Sequence, residues 1–300
     1  MTAVLPTAPA GPRPAVPTGR LRLVLARLRA ARGVLVGGAI VLLLFALAFL
    51  GPYLTPYDYA APDYAAIRQP PSAAHWFGTN GIGQDVFAQT LRGLQKSLVI
   101  GLLVALLSTG LAGLVGACAG YFGGWTDRVL VFLVDLLLIF PSFLIIAIVS
   151  PKLRGAGWLA FVLLLALFNW MVTARVVRSM TLSLRDREFV RAARYMGVAP
   201  LRIVLRHILP NVSSFLIIDA TLAVGGAVMS ETALSYFGFG VRPPDVSLGT
   251  LLAAGTDQAP VFPWLFYFAA GLLVLFVLAV NLIGDGLRDA LDPTSDRSGT

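Results

Sequence analysis

Six long apolar runs set what this chain can fold into: Val34 to Leu50, Ser97 to Ala119, Val129 to Ser150, Ala156 to Ala174, Ile208 to Ser230 and Pro263 to Gly284. At about 1.5 Å per residue, each is long enough to cross a hydrocarbon core about 30 Å thick. They are read as six spans of an all-α membrane protein. Composition agrees, because 57% of the residues are hydrophobic and 13% charged, with a mean hydropathy of +0.81. A soluble domain carries about twice that share of charge.

Six spans place both termini on one side, and the charges decide which side that is. Lys and Arg concentrate in cytoplasmic connections. With the N-terminus inside, the inner segments hold six Arg ahead of the first span, Arg128, eight Arg from Arg175 to Arg206, and Arg288 with Arg297, 17 in all. The outer segments hold Arg68, Arg92, Lys96, Lys152, Arg154 and Arg242, which is 6. The split fixes both termini inside. It also accounts for the net charge of +8 through membrane sidedness, with no nucleic acid involved.

The expected organisation follows. Residues 1–33 form a disordered Pro-rich tail and an Arg-rich juxtamembrane segment, and 34–50 form the first span. Residues 51–96 form an external region too polar for lipid, and 97–284 a five-span core containing an inner loop over 185–208. Residues 285–300 form a cytoplasmic tail. Ala46-Leu47-Ala48 mimics a signal-peptide cleavage site. The long leading segment and the five later runs favour an uncleaved span. Small residues crowd the second span at Gly101, Gly110, Gly113, Gly116 and Gly120, and the fifth at Gly225 and Gly226. Helices in lipid associate by close packing, so these mark helix contacts.

Enzyme chemistry finds little support. Cys118 is the single cysteine, and the two histidines, His75 and His207, are far apart, so neither a disulfide nor a Cys/His metal site is expected. Neither Lys96 nor Lys152 follows a glycine, so no phosphate-cradling P-loop exists and the chain is not expected to hydrolyse ATP. Three carboxylates fall at membrane depth, Asp135, Asp219 and Glu231. A carboxylate at a helix centre costs about 2.5 to 3.5 kcal/mol on the insertion scale. They are read as interhelical hydrogen-bonding groups without an intramembrane basic partner, with Glu231 near an interface. A proton relay through Asp135 and Asp219 is the competing reading.

The inner loop is the most informative stretch. Phe189, Ala192, Ala193 and Met196 fall at helical spacing on one face. Gly197 can take the positive φ that stops a helix, and Pro200 suits the first turn of another. Helix, tight turn, helix on the cytoplasmic surface is the prediction. An Arg-rich helix lying on anionic lipid, with Arg191 and Arg194 facing the headgroups, is the simpler alternative.

Glu188, Ala192, Ala193 and Gly197 match the E-A-A-x-x-x-G loop of bacterial ABC importer permeases. From about His75 to Pro293 the chain resembles the C-type inner-membrane permease of dipeptide and oligopeptide importers. HWFGTNGIGQDV, DLLLIFP, RHILPN, ETALSYFGFGVRPPDVSLGTLLAAG and NLIGDGLRDALDP carry the resemblance in family order. Departures are Asn80 and Gln84, where the family usually has Asp and Arg, and Leu248, where it usually has Trp. The resemblance implies a type I importer bundle in a bacterial cytoplasmic membrane, half of a heterodimeric pore. Glu188, Arg191, Ala192, Ala193, Arg194 and Gly197 would make its coupling helix. It also implies a second homologous permease, two ABC ATPase subunits, an external substrate-binding protein and surrounding lipid as partners. No cofactor would be bound by this chain, ATP and Mg acting through the ATPases. Nickel and some sugar importers look similar in this subunit. A proton-driven carrier and a non-transporting scaffold are the readings from other classes.

Overall fold

The computed structural model describes residues 31–153 and 157–291. The disordered-tail expectation for residues 1–30 and the last part of the C-terminal tail lie outside the described residues. Helix α1 is Arg32–Leu50, followed by a 3-10 turn at Gly51–Tyr53; α2 is Val86–Phe122. Next come α3 (Gly124–Ile139), α4 (Ser142–Val149), α5 (Gly157–Asn169), α6 (Met171–Leu184) and the short α7 (Glu188–Tyr195). Helix α8 (Pro200–Ile203) runs through a π turn at Val204–Ile208 into α9 (Leu209–Tyr236), and α10 (Leu248–Thr256) and α11 (Trp264–Leu291) complete the chain. Four stretches are long and apolar enough to cross a membrane as continuous helices, and with each of the bent pairs α3–α4 and α5–α6 taken as one span the described residues hold six.

The elements differ from the predicted runs where specific residues intervene. Helix α2 starts at Val86, well before Ser97, because the Asp85 side chain accepts from the Ala88 N–H at 2.7 Å and caps it. The third span is broken by 79° between α3 and α4. Pro141 has no N–H to continue the ladder and drives Phe140 to an extended ψ of 132°. The fourth run continues past Ala174 to Leu184, bent by 45° at Trp170. There the Asn169 side chain donates to the Leu165 carbonyl at 2.8 Å, competing with the backbone ladder. The second half of the inner loop is not a separate surface helix, since α8 and α9 run on continuously. Pro210 deletes one backbone donor, and the Leu209 N–H reaches back to Val204 in a widened turn.

Helix α2 is the central strut. Against it α6 lies so close that a Cβ at Gly116 would come 2.4 Å from the Ala174 carbonyl, and one at Gly120 2.7 Å from Thr181 Cβ. The same test leaves Gly110 and Gly226 in open space, so the small residues divide into those that seat this bundle and those that face away from it. Leu44, Leu94, Leu98, Val228, Leu248 and Phe276 pack α1, α2, α9, α10 and α11 together at one end. At the other end Val177, Val190, Ala193, Ile203 and Ile208 bind α7 onto α6 and α9.

Candidate functional site

Helix α7 is stopped by backbone geometry that only its next residues supply. Gly197 has φ +72°. Its N–H donates to the Arg194 carbonyl at 3.0 Å, and the Val198 N–H donates to the Ala193 carbonyl at 3.1 Å. This pair of bonds is the Schellman stop, in which a left-handed residue satisfies the last carbonyls of a helix. Val198 then packs into the same cluster as Ala193, and Pro200 opens α8 from an Ala199 held at ψ 135°. The helix, tight turn and helix start predicted for this stretch are all present.

The faces of α7 are sorted differently from the prediction. Val190 and Ala193 are buried, Ala193 at 1% exposure, against Val177, Ile203 and Ile208. Ala193 therefore turns inward and seats the helix, although it was expected on the same face as Phe189, Ala192 and Met196. On the outer side stand Glu188, Phe189, Arg191 and Ala192, then Tyr195 at 90% and Met196 at 74% exposure. The Arg194 guanidinium lies 5.5 Å over the centre of the Tyr121 ring at the end of α2. An apolar ridge of Phe189, Ala192, Tyr195 and Met196 is thus held on a rigid base and flanked by charge.

Two ion pairs tie α3 to α6, the helix that leads into α7. Arg178 grips Asp127 with two bonds, Nε at 2.5 Å and Nη2 at 2.6 Å. Arg175 donates to Asp135, so the expectation that Asp135 has no basic partner is overturned. Counted with the inner loop in the sequence, Arg175 belongs to α6, which carries it alongside α3. Asp219 behaves as expected for a helix-joining group. It accepts from Thr173 of α6 at 3.0 and 3.1 Å and from Thr109 of α2 at 3.4 Å.

Glu231 is the most enclosed of the three carboxylates. It is fully buried, accepts from Ser97 at 2.8 Å and from Ser235 at 2.6 Å, and so joins α2 to α9. Those serines reach onward, since the Leu248 N–H donates to Ser97 Oγ at 3.2 Å and the Val241 N–H to Ser235 Oγ at 3.0 Å. Leu248, the departure from the usual Trp, is buried at this junction. The carboxylate therefore anchors the turn between α9 and α10. Hydropathy could not reveal it, but Ser235, one helical turn on in the E-x-x-L-S segment, could have.

The external end holds two further constellations that the sequence reading missed. His75 Nδ1 lies 2.9 Å from Asp85 Oδ2, both buried, and the ring packs on Tyr57 at 4.5 Å. Lys96 Nζ lies 2.9 Å from Asp245 and 4.6 Å from the centre of the Trp158 ring. Asn80 and Gln84, the other two departures, hydrogen-bond to each other at 2.8 Å, and Gln89 donates to Gln84 at 2.7 Å. A neutral amide cluster thus joins the two departures to α2 through Gln89.

Comparison with known proteins carries the same pattern to the whole chain. Residues 110–297 match the family described as the binding-protein-dependent transport system inner membrane component. Residues 19–71 match the N-terminal TM domain of oligopeptide transport permease C. The chain is 56% identical over 277 residues to an oligopeptide transport system permease protein of Mycobacterium bovis, covering 92% of this chain and 95% of the relative. It is 34% identical over 270 residues to one from Bacillus subtilis, covering 89% and 87%. With six spans, a Schellman-stopped inner helix and this breadth of likeness, the chain belongs to the family of inner-membrane components of binding-protein-dependent transport systems.

Proposed function

We propose that this chain is one of two permease subunits of an ABC importer that carries oligopeptides across the bacterial cytoplasmic membrane. Peptide transport is named for its relatives from Mycobacterium bovis and Bacillus subtilis. The observation that carries the coupling role is the exposed ridge of α7 on a base formed by Val190 and Ala193. Glu188, Arg191, Ala192, Arg194 and Gly197 present or shape that ridge, and Ala193 fixes its angle. A chain without a P-loop needs its ATP hydrolysed elsewhere, so two ATPase subunits, with ATP and Mg, would receive the ridge in a groove. A second permease would complete the pore, and an external binding protein would deliver substrate. The proton-carrier alternative has no support in the family, and Asp135 carries an arginine counterion, Arg175, where that alternative put an unpaired carboxylate.

Gly197→Val tests the coupling role. A Cβ at Gly197 meets no atom within 4 Å, so the substitution acts only through its left-handed backbone. The local cost is on the order of 1 to 2 kcal/mol, too little to unfold six spans and enough to tilt α7. In proteoliposomes with the partner subunits, ATP-driven peptide uptake should collapse and ATP hydrolysis should stop responding to loaded binding protein, with assembly intact. Glu188→Ala should be milder. If α7 merely lies on lipid, Gly197→Val will be silent and charge removal at Arg191 and Arg194 will matter more.

A further inference from the structure

Two ion pairs join α3 to α6, yet they are built differently. Arg178 and Asp127 make a bidentate pair whose side chains are 32% and 19% exposed. Arg175 and Asp135 share a single bond, and their side chains remain 51% and 50% exposed. Among the described residues, Asp135 Oδ2 and the other guanidinium donors of Arg175 have no hydrogen-bond partner. An arginine offers five donors and a carboxylate about four acceptor sites, so most of this pair's capacity is unspent.

Its position is equally specific. Asp135 precedes the break at Phe140–Pro141, and Arg175 follows the bend at Trp170, each by roughly a turn and a half of helix. A cavity of about 290 Å³ lies just beyond those breaks, lined by Ser142, Phe143, Phe168, Asn169, Met229 and Ser230, and the pair stands on the other side of the breaks from it. Half-exposed charges at mid-span are disfavoured against lipid and line water-filled passages instead. The loosely held pair therefore stands half-exposed beside the two points where its spans break.

We propose that Asp135 and Arg175 are substrate-contacting residues of the translocation path, taking the α-ammonium and the α-carboxylate of a passing peptide respectively. The proposal rests on the peptide-importer reading above. A zwitterion entering a low-dielectric passage loses hydration at both ends, and a charge with no counterion there is heavily penalised. A separable Asp–Arg pair supplies both counterions, the guanidinium fork matching a carboxylate with two parallel bonds. When the path is empty the pair closes on itself, so the passage is electrically neutral with or without peptide.

The test uses the complete transporter in proteoliposomes, with one tripeptide supplied free, N-acetylated or C-amidated. The binding protein is the same throughout, so a change in preference between wild type and variant belongs to the permease. Arg175→Gln should lower the preference for the free peptide over its C-amide by about tenfold, the scale of one lost charged hydrogen bond. It should leave the preference over the N-acetyl peptide unchanged. Asp135→Asn should do the reverse. Should Arg175→Gln fail to assemble, Arg175→Lys keeps the charge without the fork and should shift the same preference by a few-fold. Uptake that falls equally for all three peptides makes the pair a helix tie and overturns the proposal. Loss of the partner permease on gel filtration makes it a subunit contact and overturns it too. A wild-type complex that carries no peptide at all overturns the importer reading along with it.

Discussion

At the scale of single residues, the carboxylate of Glu231 has the most to hold. It receives two serine hydroxyls inside a span, and those serines in turn receive the backbone N–H groups of Val241 and Leu248. Removing the acceptor leaves buried hydroxyls unsatisfied, at about 1 to 3 kcal/mol for each group. Glu231→Gln keeps an acceptor of the same shape and should lower the unfolding midpoint in detergent only slightly. Glu231→Leu should lower it clearly and expose the turn between α9 and α10 to protease. A leucine variant as stable and as resistant as wild type would show that the network is incidental. Sequence singled out Glu231, Asp219 and Asp135 within apolar runs but could not say what each faces. Hydropathy reports position along a span, whereas partners depend on rotation about it: Asp219 and Glu231 met the interhelical hydrogen bonds expected of them, and Asp135 met an arginine instead.

At the scale of elements, the stretch most legible in the sequence was α7, because Gly197 and Pro200 are residues whose backbone preferences act locally. The bends were less legible. Pro141 was visible within an apolar run whose hydropathy alone reads as one span, and the bend at Trp170 has no proline to announce it. Helix α6 escaped recognition because its arginines suggest a loop until Asp127 and Asp135 are set beside them. Its seat against α2 yields a prediction. Gly116→Val places a side chain where a Cβ already stands 2.4 Å from a backbone carbonyl, and overpacking costs about 1 to 3 kcal/mol. Since α6 leads directly into α7, uptake should fall together with thermal stability. Gly110→Val, with nothing within 4 Å of its Cβ, should leave the stability of the isolated subunit unchanged. Equal effects in the two variants would refute the account of α2 as a strut that seats α6.

At the scale of the whole molecule, polarity across the membrane is set by where each charge finds a partner. Lys96 pairs with Asp245 beside Trp158 at one end of the bundle. At the other end Arg178 holds Asp127, Arg185 donates to the Gly120 carbonyl at 3.3 Å, and Arg194 covers Tyr121. Basic residues are thus few outside, where Lys96 holds Asp245, and many inside, where α7 stands. The positive-inside count therefore describes a structural gradient as well as a sorting signal. Single-cysteine labelling checks it. In a Cys118→Ser background, Tyr64→Cys, which replaces a side chain 73% exposed, should react with an impermeant maleimide added to intact cells. Met196→Cys should react only after the membrane is opened, and labelling of Met196→Cys from outside would end the six-span topology. Adding the ATPase subunits should then protect Met196→Cys while leaving Tyr64→Cys reactive, because the ridge of α7 is the surface proposed to enter their groove. Protection of neither position would keep the topology and remove α7 from the ATPase interface, so this one experiment separates the orientation of the bundle from its coupling.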